Sequence, residues 1–438
     1  MNDKALPPQH AVLRHLSAQN LSAQDQPFLW GGQTLEALAL QAGQTPFYAY
    51  DSALVRASVA HLRATLPPSI HLHYAMKANP LPALVAMMAA WVDGIDVASG
   101  GELQTALAVG ARAADISFAG PGKRPEELEQ AVAAGILVNV ESMREVRLLA
   151  DITQRLGLPA RVAVRVNPDF DLKSAGMKMG GGAKPFGVDA EQVPLVLAEM
   201  GRLGLGFEGF QLFAGSQNLN AGLIAQAQRQ SFELAVRLAA HAPGPVRVLN
   251  LGGGFGIPYF AGEEPLDLAP IGANLRQLAE RAKTELPQAQ LVLELGRFLV
   301  GEAGIYVARI LDRKLSRGQV FLVADGGMHH HLAASGNFGQ VIRKNYPVTL
   351  CRAAAKPPDS ARPSDSARPA DAATGQPRRE IASVVGPLCS PLDLLADKMD
   401  LPVGQEGDWV IVFQSGAYGF TASPSAFLSQ AKCTEIVI

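Results

Sequence analysis

Residues 94–140 read GIDVASGGELQTALAVGARAADISFAGPGKRPEELEQAVAAGILVNV. Three short β-branched runs, at 94–98, 116–119 and 137–140, are separated by Ala/Leu-rich segments, of which 125–134 is predicted to be a helix. Strands that alternate with helices are typical of a parallel sheet, because the chain returns to the same edge of the sheet through each helix. The stretch therefore predicts an α/β fold.

The same alternation continues on both sides of this stretch. Further strands are predicted at 71–76, 161–166, 209–213, 246–251 and 291–294, and further helices at 143–156, 223–240 and 271–285. About eight strand–helix units in roughly 250 residues favour a closed (β/α)8 TIM-like barrel. We place this barrel at residues 46–304; an open doubly wound sheet is the structural alternative.

The pattern changes after residue 304. Strands with few helices are predicted at 305–315, 319–323, 381–385, 409–413 and 433–438. They indicate a second, mostly β C-terminal domain over 305–438, of sandwich or barrel-like form. We expect residues 1–45, which do not follow the barrel pattern, to pack with this β domain. Residues 354–379 repeat DSARP and bury too little apolar surface to offset their ordering entropy, so we predict a disordered insert there.

Composition narrows the class of protein. Of 438 residues 48% are hydrophobic, enough for a buried core, and 38 Lys+Arg against 40 Asp+Glu leave a charge of −2. This balance lacks the basic footprint of a nucleic-acid-binding protein. The longest apolar stretch, 81–92, is shorter than the roughly 20 residues that span a bilayer. With no signal-peptide pattern in residues 1–20 and only three cysteines, we expect a cytoplasmic protein without a membrane partner.

Catalytic side chains of a barrel lie where its strands end, and three such places stand out. Lys77 in YAMKAN (74–79) is either a lysine snorkelling to the surface or a desolvated Schiff-base amine. Gly252, Gly253 and Gly254 form either a tight turn or a backbone cradle for an anion such as phosphate. Glu294 and Arg297 are either a surface ion pair, or a carboxylate that keeps a heteroaromatic nitrogen protonated beside a guanidinium that contacts phosphate.

Taken together and in order, these motifs resemble the fold-type III pyridoxal-phosphate decarboxylases, the group that contains diaminopimelate and ornithine decarboxylases. Alanine racemase is a more distant barrel relative. The resemblance covers roughly residues 45–435 and rests on YAMKAN (74–79), GIDVASGGEL (94–103), FAGPGK (118–123), RVNP (165–168), FAGSQN (213–218), GGGFG (252–256), ELGR (294–297), ADGGM (324–328), GPLC (386–389) and GAYG (416–419). The variants in this chain look most like a bacterial subgroup associated with exosortase and exopolysaccharide gene systems. A related branch decarboxylates an amino acid carried on an acyl-carrier protein.

The resemblance implies pyridoxal 5'-phosphate as the cofactor, with Lys77 as its Schiff-base lysine and Glu294 opposite the pyridine nitrogen. It implies that Cys389 reprotonates the quinonoid carbon across a dimer interface, and therefore a homodimer with shared active sites. The residues implied for the phosphate are Gly252, Gly253, Gly254, Ser216, Arg297 and Tyr418. Those implied to line the pocket are Asp96, Glu102 and Arg165.

Three places depart from the family pattern. Phe213 stands where the relatives have a histidine that stacks on the cofactor ring. Ser390-Pro391 follow Cys389 where an acidic residue usually recognises the distal end of the substrate, although Asp393 could compensate. His329-His330-His331 are expected in a solvated or substrate-facing loop and not at a metal, because adjacent side chains diverge. The residues predicted to bind substrate are His330, Arg343, Tyr346, Ser390 and Tyr418.

The resulting prediction is a pyridoxal-phosphate-dependent decarboxylase, or carboxy-lyase, that acts on an L- or meso-configured amino acid, free or carrier-bound. Its alternatives are a diaminopimelate decarboxylase of lysine biosynthesis and an amino-acid racemase on the same cofactor. In the racemase relatives an arginine faces the ring nitrogen, so Glu294 favours decarboxylation. A cofactor-binding regulator without turnover is disfavoured by the large domain that carries Cys389.

Overall fold

The computed structural model describes residues 28–170, 177–178, 181–260, 262–353 and 378–438. The strands are β1 (Leu29–Trp30), β2 (Gln33–Thr34), β3 (Phe47–Tyr50), β4 (Ile70–Ala75), β5 (Gly94–Val97), β6 (Ile116–Phe118), β7 (Leu137–Val140), β8 (Arg161–Asn167), β9 (Met177–Lys178), β10 (Val188–Asp189), β11 (Gly206–Leu212), β12 (Gly215–Ser216), β13 (Val248–Gly253), β14 (Gln290–Leu295), β15 (Gly304–Ser316), β16 (Gln319–Ala324), β17 (Val348–Cys351), β18 (Arg379–Val385), β19 (Leu394–Pro402), β20 (Trp409–Val412) and β21 (Thr434–Val437). The α-helices are α1 (Leu35–Ala42), α2 (Ser52–Thr65), α3 (Pro82–Trp91), α4 (Gly100–Ala108), α5 (Pro125–Ala134), α6 (Met143–Leu156), α7 (Val193–Arg202), α8 (Ala221–Ala239), α9 (Ala269–Glu285) and α10 (Arg297–Val300).

These elements form two compact units. The barrel unit comprises Ser58–Pro258 and Glu264–Leu299. The β unit comprises the described residues of Met1–Ala57, Tyr259–Glu263 and Val300–Ile438. Most of the predicted insert (354–377) and the N-terminal segment considered for a signal peptide lie outside the described residues.

The barrel unit is a closed parallel sheet, which confirms the predicted (β/α)8 barrel. Its strands run in the order β4-β5-β6-β7-β8-β11-β13-β14, and β14 closes the ring by pairing in parallel with β4. Each strand is followed by a helix, and the short β10 pairs with β8 outside the ring. The parallel ring brings the carboxyl ends of all eight strands to one rim, where the predicted site residues follow them.

Local sequence signals set the bounds of the barrel helices. Ser99 precedes α4, and its hydroxyl oxygen accepts the backbone N–H of Glu102 at 3.1 Å. Ser142 caps α6 in the same way. Gly157, with φ +65°, ends α6 in the left-handed conformation that glycine adopts without steric cost. The two caps of α6 explain why its predicted bounds, 143–156, agree with the observed ones.

The β unit has strands in the order β17-β20-β15-β16-β18-β19, with β3 paired to β15 and β21. This confirms the second, mostly β domain. Its core combines side chains from the start of the described chain with those of the later strands. The buried members are Trp30, Leu35, Leu38, Phe47, Ala49, Ile305, Val307, Trp409, Ile411 and Phe413.

The boundary between the units differs from the one predicted at residue 46. β3 pairs antiparallel with β15, with Tyr48 opposite Tyr306, so residues 46–57 belong to the β unit. Four apolar residues in a row suit either sheet, and the partner strand lies some 250 residues later in the chain. The local pattern therefore does not contain the information that assigns this strand. Among the described helices none is long and apolar enough to cross a membrane.

Candidate active site

Lys77 and Glu294 are carried by neighbouring strands of the barrel. β14 pairs with β4 so that Glu294 lies opposite His73 and Leu295 opposite Tyr74. Lys77 follows β4 in a single 3₁₀ turn, is exposed, and places its Nζ 5.6 Å from the ring centre of Phe213. The amine and the carboxylate therefore share one rim of the barrel.

The turns after these two strands pack closely on each other. A Cβ at Gly296 would lie 2.8 Å from Ala78 Cβ and 3.0 Å from the carbonyl oxygen of Ala75. Only a residue without a side chain permits this approach. Gly296 thus fixes Glu294 and Arg297 against the turn that carries Lys77.

Glu294 is buried, and two side-chain amides hold it. One lies on the neighbouring strand β13 and the other on β11, the next strand beyond it. The Oε2 of Glu294 accepts the side-chain N–H of Gln211 at 2.7 Å and that of Asn250 at 3.4 Å. Burial raises the pKa of Glu294, and the Asp96 carboxylate adds to this, while the cations of Lys77 and Arg165 oppose it. A buried carboxylate of this kind is prepared to meet a positive partner, which would relieve its desolvation.

Asp96 presents one free oxygen at the same rim. Its Oδ1 is used twice, by the hydroxyl of Ser117 and by Nδ1 of His73 at 3.2 Å. Oδ2 is buried and has no hydrogen-bond partner among the described residues. Burial lowers the pKa of His73, but the carboxylates of Asp96, Glu294 and Asp93 together outweigh this, so the net shift is upward. Glu102 instead serves the backbone, since its Oε2 accepts the N–H of Ala98 at 2.7 Å.

Arg165 is held in a buried ion pair. Its guanidinium donates to Oε1 of Glu141 at 2.8 Å and lies 5.1 Å from the ring centre of Phe186. Glu141 also accepts the backbone N–H groups of Gly120 and Gly187. The arginine is therefore fixed by loops that follow three different strands.

The glycines at the C-terminal end of β13 allow the backbone to pass neighbouring main chain at very short range. A Cβ at Gly253 would overlap the carbonyl oxygen of Glu294, and one at Gly254 (φ +76°) would overlap that of Gly215. Ser216 pairs with Met177 beside this loop. The N–H of Gly252, however, already donates to Oδ1 of Asn250 at 2.8 Å. The assignment of Gly252 to the phosphate stays a prediction, with its N–H engaged by Asn250 in this structure.

These residues fit pyridoxal phosphate. An exposed amine, a buried carboxylate and a glycine loop meet at one rim. The Oδ2 of Asp96 and the Oε1 of Gln211 are buried without a partner among the described residues, and such atoms call for a polar ligand. Lys77, Glu294, Asp96, Arg165, Phe213, Ser216, Gly253, Gly254 and Arg297 are the barrel residues that could hold the cofactor.

The β unit carries Cys389 and the remaining predicted residues. Cys389 is exposed in the turn that follows β18. The hydroxyl oxygen of Ser390 accepts the backbone N–H of Leu392 at 3.2 Å. Asp393 is buried, and both of its carboxylate oxygens accept backbone N–H groups, from Met328 and Leu388. The expectation that Asp393 compensates for a missing substrate-recognition carboxylate stays a prediction, which its 2% exposure disfavours.

The three consecutive histidines are not in a solvated loop. His329, His330 and His331 are 0%, 1% and 0% exposed. Burial lowers the pKa of His330 to about 4 and that of His331 to about 3, so both rings are neutral at neutral pH. Nε2 of His330 lies 2.7 Å from the carbonyl oxygen of Ala431, and Nδ1 lies 3.3 Å from the Tyr306 hydroxyl. We correct the prediction that His330 binds substrate, since both nitrogens have partners in the protein.

Three further predicted residues lie in the β unit. Arg343 donates to the carbonyl oxygen of Leu394 at 2.9 Å, while its buried Nε has no partner among the described residues. The ring of Tyr346 is buried against Tyr259, with centres 4.7 Å apart. Tyr418 has an unusual φ of +53°, which is costly outside glycine and often marks a functional position.

Several supporting residues are not identified by the sequence motifs. Gln211 and Asn250 hold Glu294, His73 and Ser117 hold Asp96, and Glu141 holds Arg165. The available signal was a single polar residue within an otherwise apolar run, as in GFQLF (209–213) and VLNLG (248–252). Such a residue in a barrel strand needs a buried partner, which the sequence does not identify.

Comparison with known proteins agrees with this geometry. Residues 52–301 match the family model described as pyridoxal-dependent decarboxylase, pyridoxal binding domain. The chain is 36% identical over 397 residues to the L-glutamyl-(BtrI acyl-carrier protein) decarboxylase of Niallia circulans, covering 90% of this chain and 89% of that protein. It is 31% identical over 415 residues to the diaminopimelate decarboxylase of Aquifex aeolicus, covering 93% and 89%.

The solved structure of diaminopimelate decarboxylase from Helicobacter pylori complexed with L-lysine has the same fold. It matches with a TM-score of 0.76 at 26% identity, covering 92% of this chain and 94% of that one. The family match spans more than half of the chain, and its barrel residues are those that bring Lys77 and Glu294 together. The chain therefore belongs to the pyridoxal-dependent decarboxylases of fold type III, which are carboxy-lyases that use pyridoxal phosphate.

Proposed function

We propose that this chain decarboxylates an amino acid at the rim of its barrel, with pyridoxal phosphate held by Lys77 as a Schiff base. When bound, this cofactor supplies the electron sink that decarboxylation needs. The observation that carries the proposal is the placement of an exposed lysine and a buried glutamate on neighbouring strands. In this arrangement Lys77 binds and orients, and Glu294 keeps the ring nitrogen protonated.

The other barrel residues complete the cofactor site. Arg165, fixed by Glu141, contributes positive charge that acts on Glu294. Phe213 supplies a ring face for stacking but no exchangeable proton. We assign the phosphate to Gly253, Gly254, Ser216, Arg297 and Tyr418, with Gly252 shaping the loop.

We assign the final proton transfer to Cys389, whose Sγ delivers a proton to the substrate's Cα after CO2 leaves. An exposed thiol is accessible for such a transfer. As in the family resemblance, we place Cys389 in the active site of a second copy of the chain, so that the functional unit is a homodimer. A reduced thiol suits a reducing compartment such as the cytoplasm.

Shared sites predict that two inactive variants will complement each other. Lys77→Ala and Cys389→Ala chains should each be inactive. Mixed under conditions that exchange subunits, they should regain about a quarter of wild-type CO2 release, because half of the dimers then contain one intact site of two. Recovery is measured against the mixing ratio, with each variant mixed with itself as the control. No recovery despite proven subunit exchange would show that each site is built from one chain.

We further propose that the substrate is joined to a carrier protein through its side chain. Decarboxylation needs a free α-amino group and a free α-carboxylate, so the side chain is the remaining point of attachment. A free diamino acid would instead need an anion for its distal ammonium, yet Ser390 is neutral and the Asp393 carboxylate is only 2% exposed. Burying an ammonium without that partner costs on the order of 3–5 kcal/mol. The likeness to a decarboxylase named for an acyl-carrier-protein substrate supports this choice.

A substrate panel tests the assignment. CO2 release should be fastest with a glutamyl group attached through its side chain to a carrier or to phosphopantetheine, at least about 100-fold above meso-diaminopimelate in kcat/KM. Free glutamate, ornithine and lysine complete the panel, and loss of optical activity without CO2 release would reveal a racemase. Preference for meso-diaminopimelate would instead identify a diaminopimelate decarboxylase of lysine biosynthesis. Arg343, Tyr346, Ser390 and Tyr418 are our candidates for substrate contact.

A further inference from the structure

The turn that carries Cys389 is organised around one buried carboxylate. Residues 386–393, here called the cysteine turn, end at Asp393, which is 2% exposed. Its Oδ2 accepts the backbone N–H of Leu388, the residue before Cys389, at 2.8 Å. Its Oδ1 accepts the backbone N–H of Met328 at 2.6 Å. One side chain thus joins the cysteine turn to the loop after β16.

Two glycines make room for this carboxylate. A Cβ at Gly327 would overlap Oδ1 of Asp393, and a Cβ at Gly386 would overlap Oδ2. Any other residue at either position would displace the Asp393 carboxylate. The ADGGM and GPLC motifs therefore each contribute a glycine to the same small space.

Main-chain hydrogen bonds close the turn around the same residue. The N–H of Asp393 donates to the carbonyl oxygen of Ser390 at 3.2 Å, and the N–H of Gly386 donates to that of Asp393 at 3.1 Å. The N–H of Ser390 donates to the carbonyl oxygen of Leu388 at 2.7 Å. Cys389 itself is exposed, so the backbone of the turn, and not packing around the thiol, determines where Sγ lies.

We propose that Asp393 is a positioning residue for Cys389: through the N–H groups of Leu388 and Met328 it holds the cysteine turn in the shape that presents Sγ for proton transfer. This inference rests on the proton-donor role proposed for Cys389. Hydrogen bonds to an ionised acceptor are about twice as strong as neutral ones, which suits a carboxylate that must fix a short exposed turn. The role differs from substrate recognition because the carboxylate is 2% exposed and acts on backbone N–H groups of its own fold.

The test uses the full-length, cofactor-loaded protein. Asp393→Asn keeps the shape of the side chain but places an amide donor against a backbone donor. Gly386→Ala keeps the carboxylate but adds a methyl group in the space that the carboxylate occupies. Asp400→Asn is the matched control, since Asp400 pairs with Arg379 at the surface at 2.9 Å. Hydrogen exchange of peptides covering 326–331 and 386–394 is measured together with kcat, KM and bound cofactor per chain.

We expect both test variants to exchange these amides about tenfold or more faster than the control. Their kcat should fall about 10- to 100-fold with KM and cofactor content near wild type, because a small displacement of a reacting group has effects of this size. Unchanged exchange in both variants overturns the proposal, and so does faster exchange with unchanged kcat. Thermal melting excludes global unfolding, and Asp393→Asn is chosen over alanine to limit it.

Cys389→Ala, measured in parallel, separates this inference from the proposed function. If that variant retains full activity, the proton-donor role is wrong and the positioning role falls with it. If it loses activity while Asp393→Asn and Gly386→Ala do not, only the positioning role is refuted.

Discussion

Lys77→Ala should abolish the absorbance band of the Schiff base and reduce CO2 release by a factor on the order of 10³–10⁶. The lysine amine at the rim is the group that we propose to capture the cofactor aldehyde, and alanine supplies no replacement. Visible absorbance of the purified protein and CO2 release from the best substrate are the measurements. The fold should survive, because the Lys77 side chain is exposed and not part of the core.

Lys283→Ala is the matched control for this variant. Lys283 is exposed on α9 of the same barrel and pairs with Glu280 at 2.7 Å, so its loss removes a lysine without touching the rim. It should retain the band and the activity. A normal band in Lys77→Ala would contradict the assignment and move the cofactor to another amine.

Glu294→Gln should lower kcat on the order of 10²–10³-fold with little change in KM. Glutamine preserves the size of the side chain but does not stabilise a protonated ring nitrogen, so the electron sink is weakened when charge develops. Steady-state CO2 release separates kcat from KM, and cofactor content is measured to exclude loss of binding. Wild-type kcat in a fully loaded Glu294→Gln protein would show that the carboxylate does not control the ring.

The same variant has a second, non-catalytic readout. The folded-state pKa of Glu294 is raised above its ordinary value, mainly by burial. A carboxyl with this shift stabilises the fold below its unfolded pKa, and this contribution is lost as the pH rises through the folded value. Without cofactor, wild type should therefore lose stability relative to Glu294→Gln as the pH rises above about 4.3, the ordinary pKa of a glutamate. A stability difference between the two proteins that stays constant over this pH range would contradict the prediction.

Much of the barrel was predictable because its signals are local. Strand patterns such as 137–140 and helix caps such as Ser142 and Gly157 depend only on neighbours in sequence, and the observed elements follow them. Because parallel strands of a barrel all end at one rim, the strand pattern alone also predicts that Lys77 and Glu294 lie together. The strand Phe47–Tyr50 shows the limit, since its pairing with β15 depends on residues far along the chain.

The site was less predictable than the barrel. The motifs predict Lys77, Glu294 and Cys389. They do not predict the residues that hold these side chains in place. Gln211 reaches Glu294 from β11, across the intervening strand β13, and the sequence pattern does not identify this partner. The histidine run looked like a polar loop, yet its rings are buried among tyrosines of the β unit.

The amino-acid sequence alone predicted a barrel of alternating strands and helices, with a lysine at the end of one strand and a glutamate at the end of another. It also predicted the chemistry that this pair favours. Those features repeat within a few residues or mark the ends of strands, so they can be predicted without knowledge of contacts between distant residues. Three-dimensional packing alone decided that Gln211 supports Glu294, and that the Asp393 carboxylate accepts the backbone N–H of Met328. Hydrogen bonds between residues distant in sequence, and burial, assign those roles, and both depend on how separated segments meet.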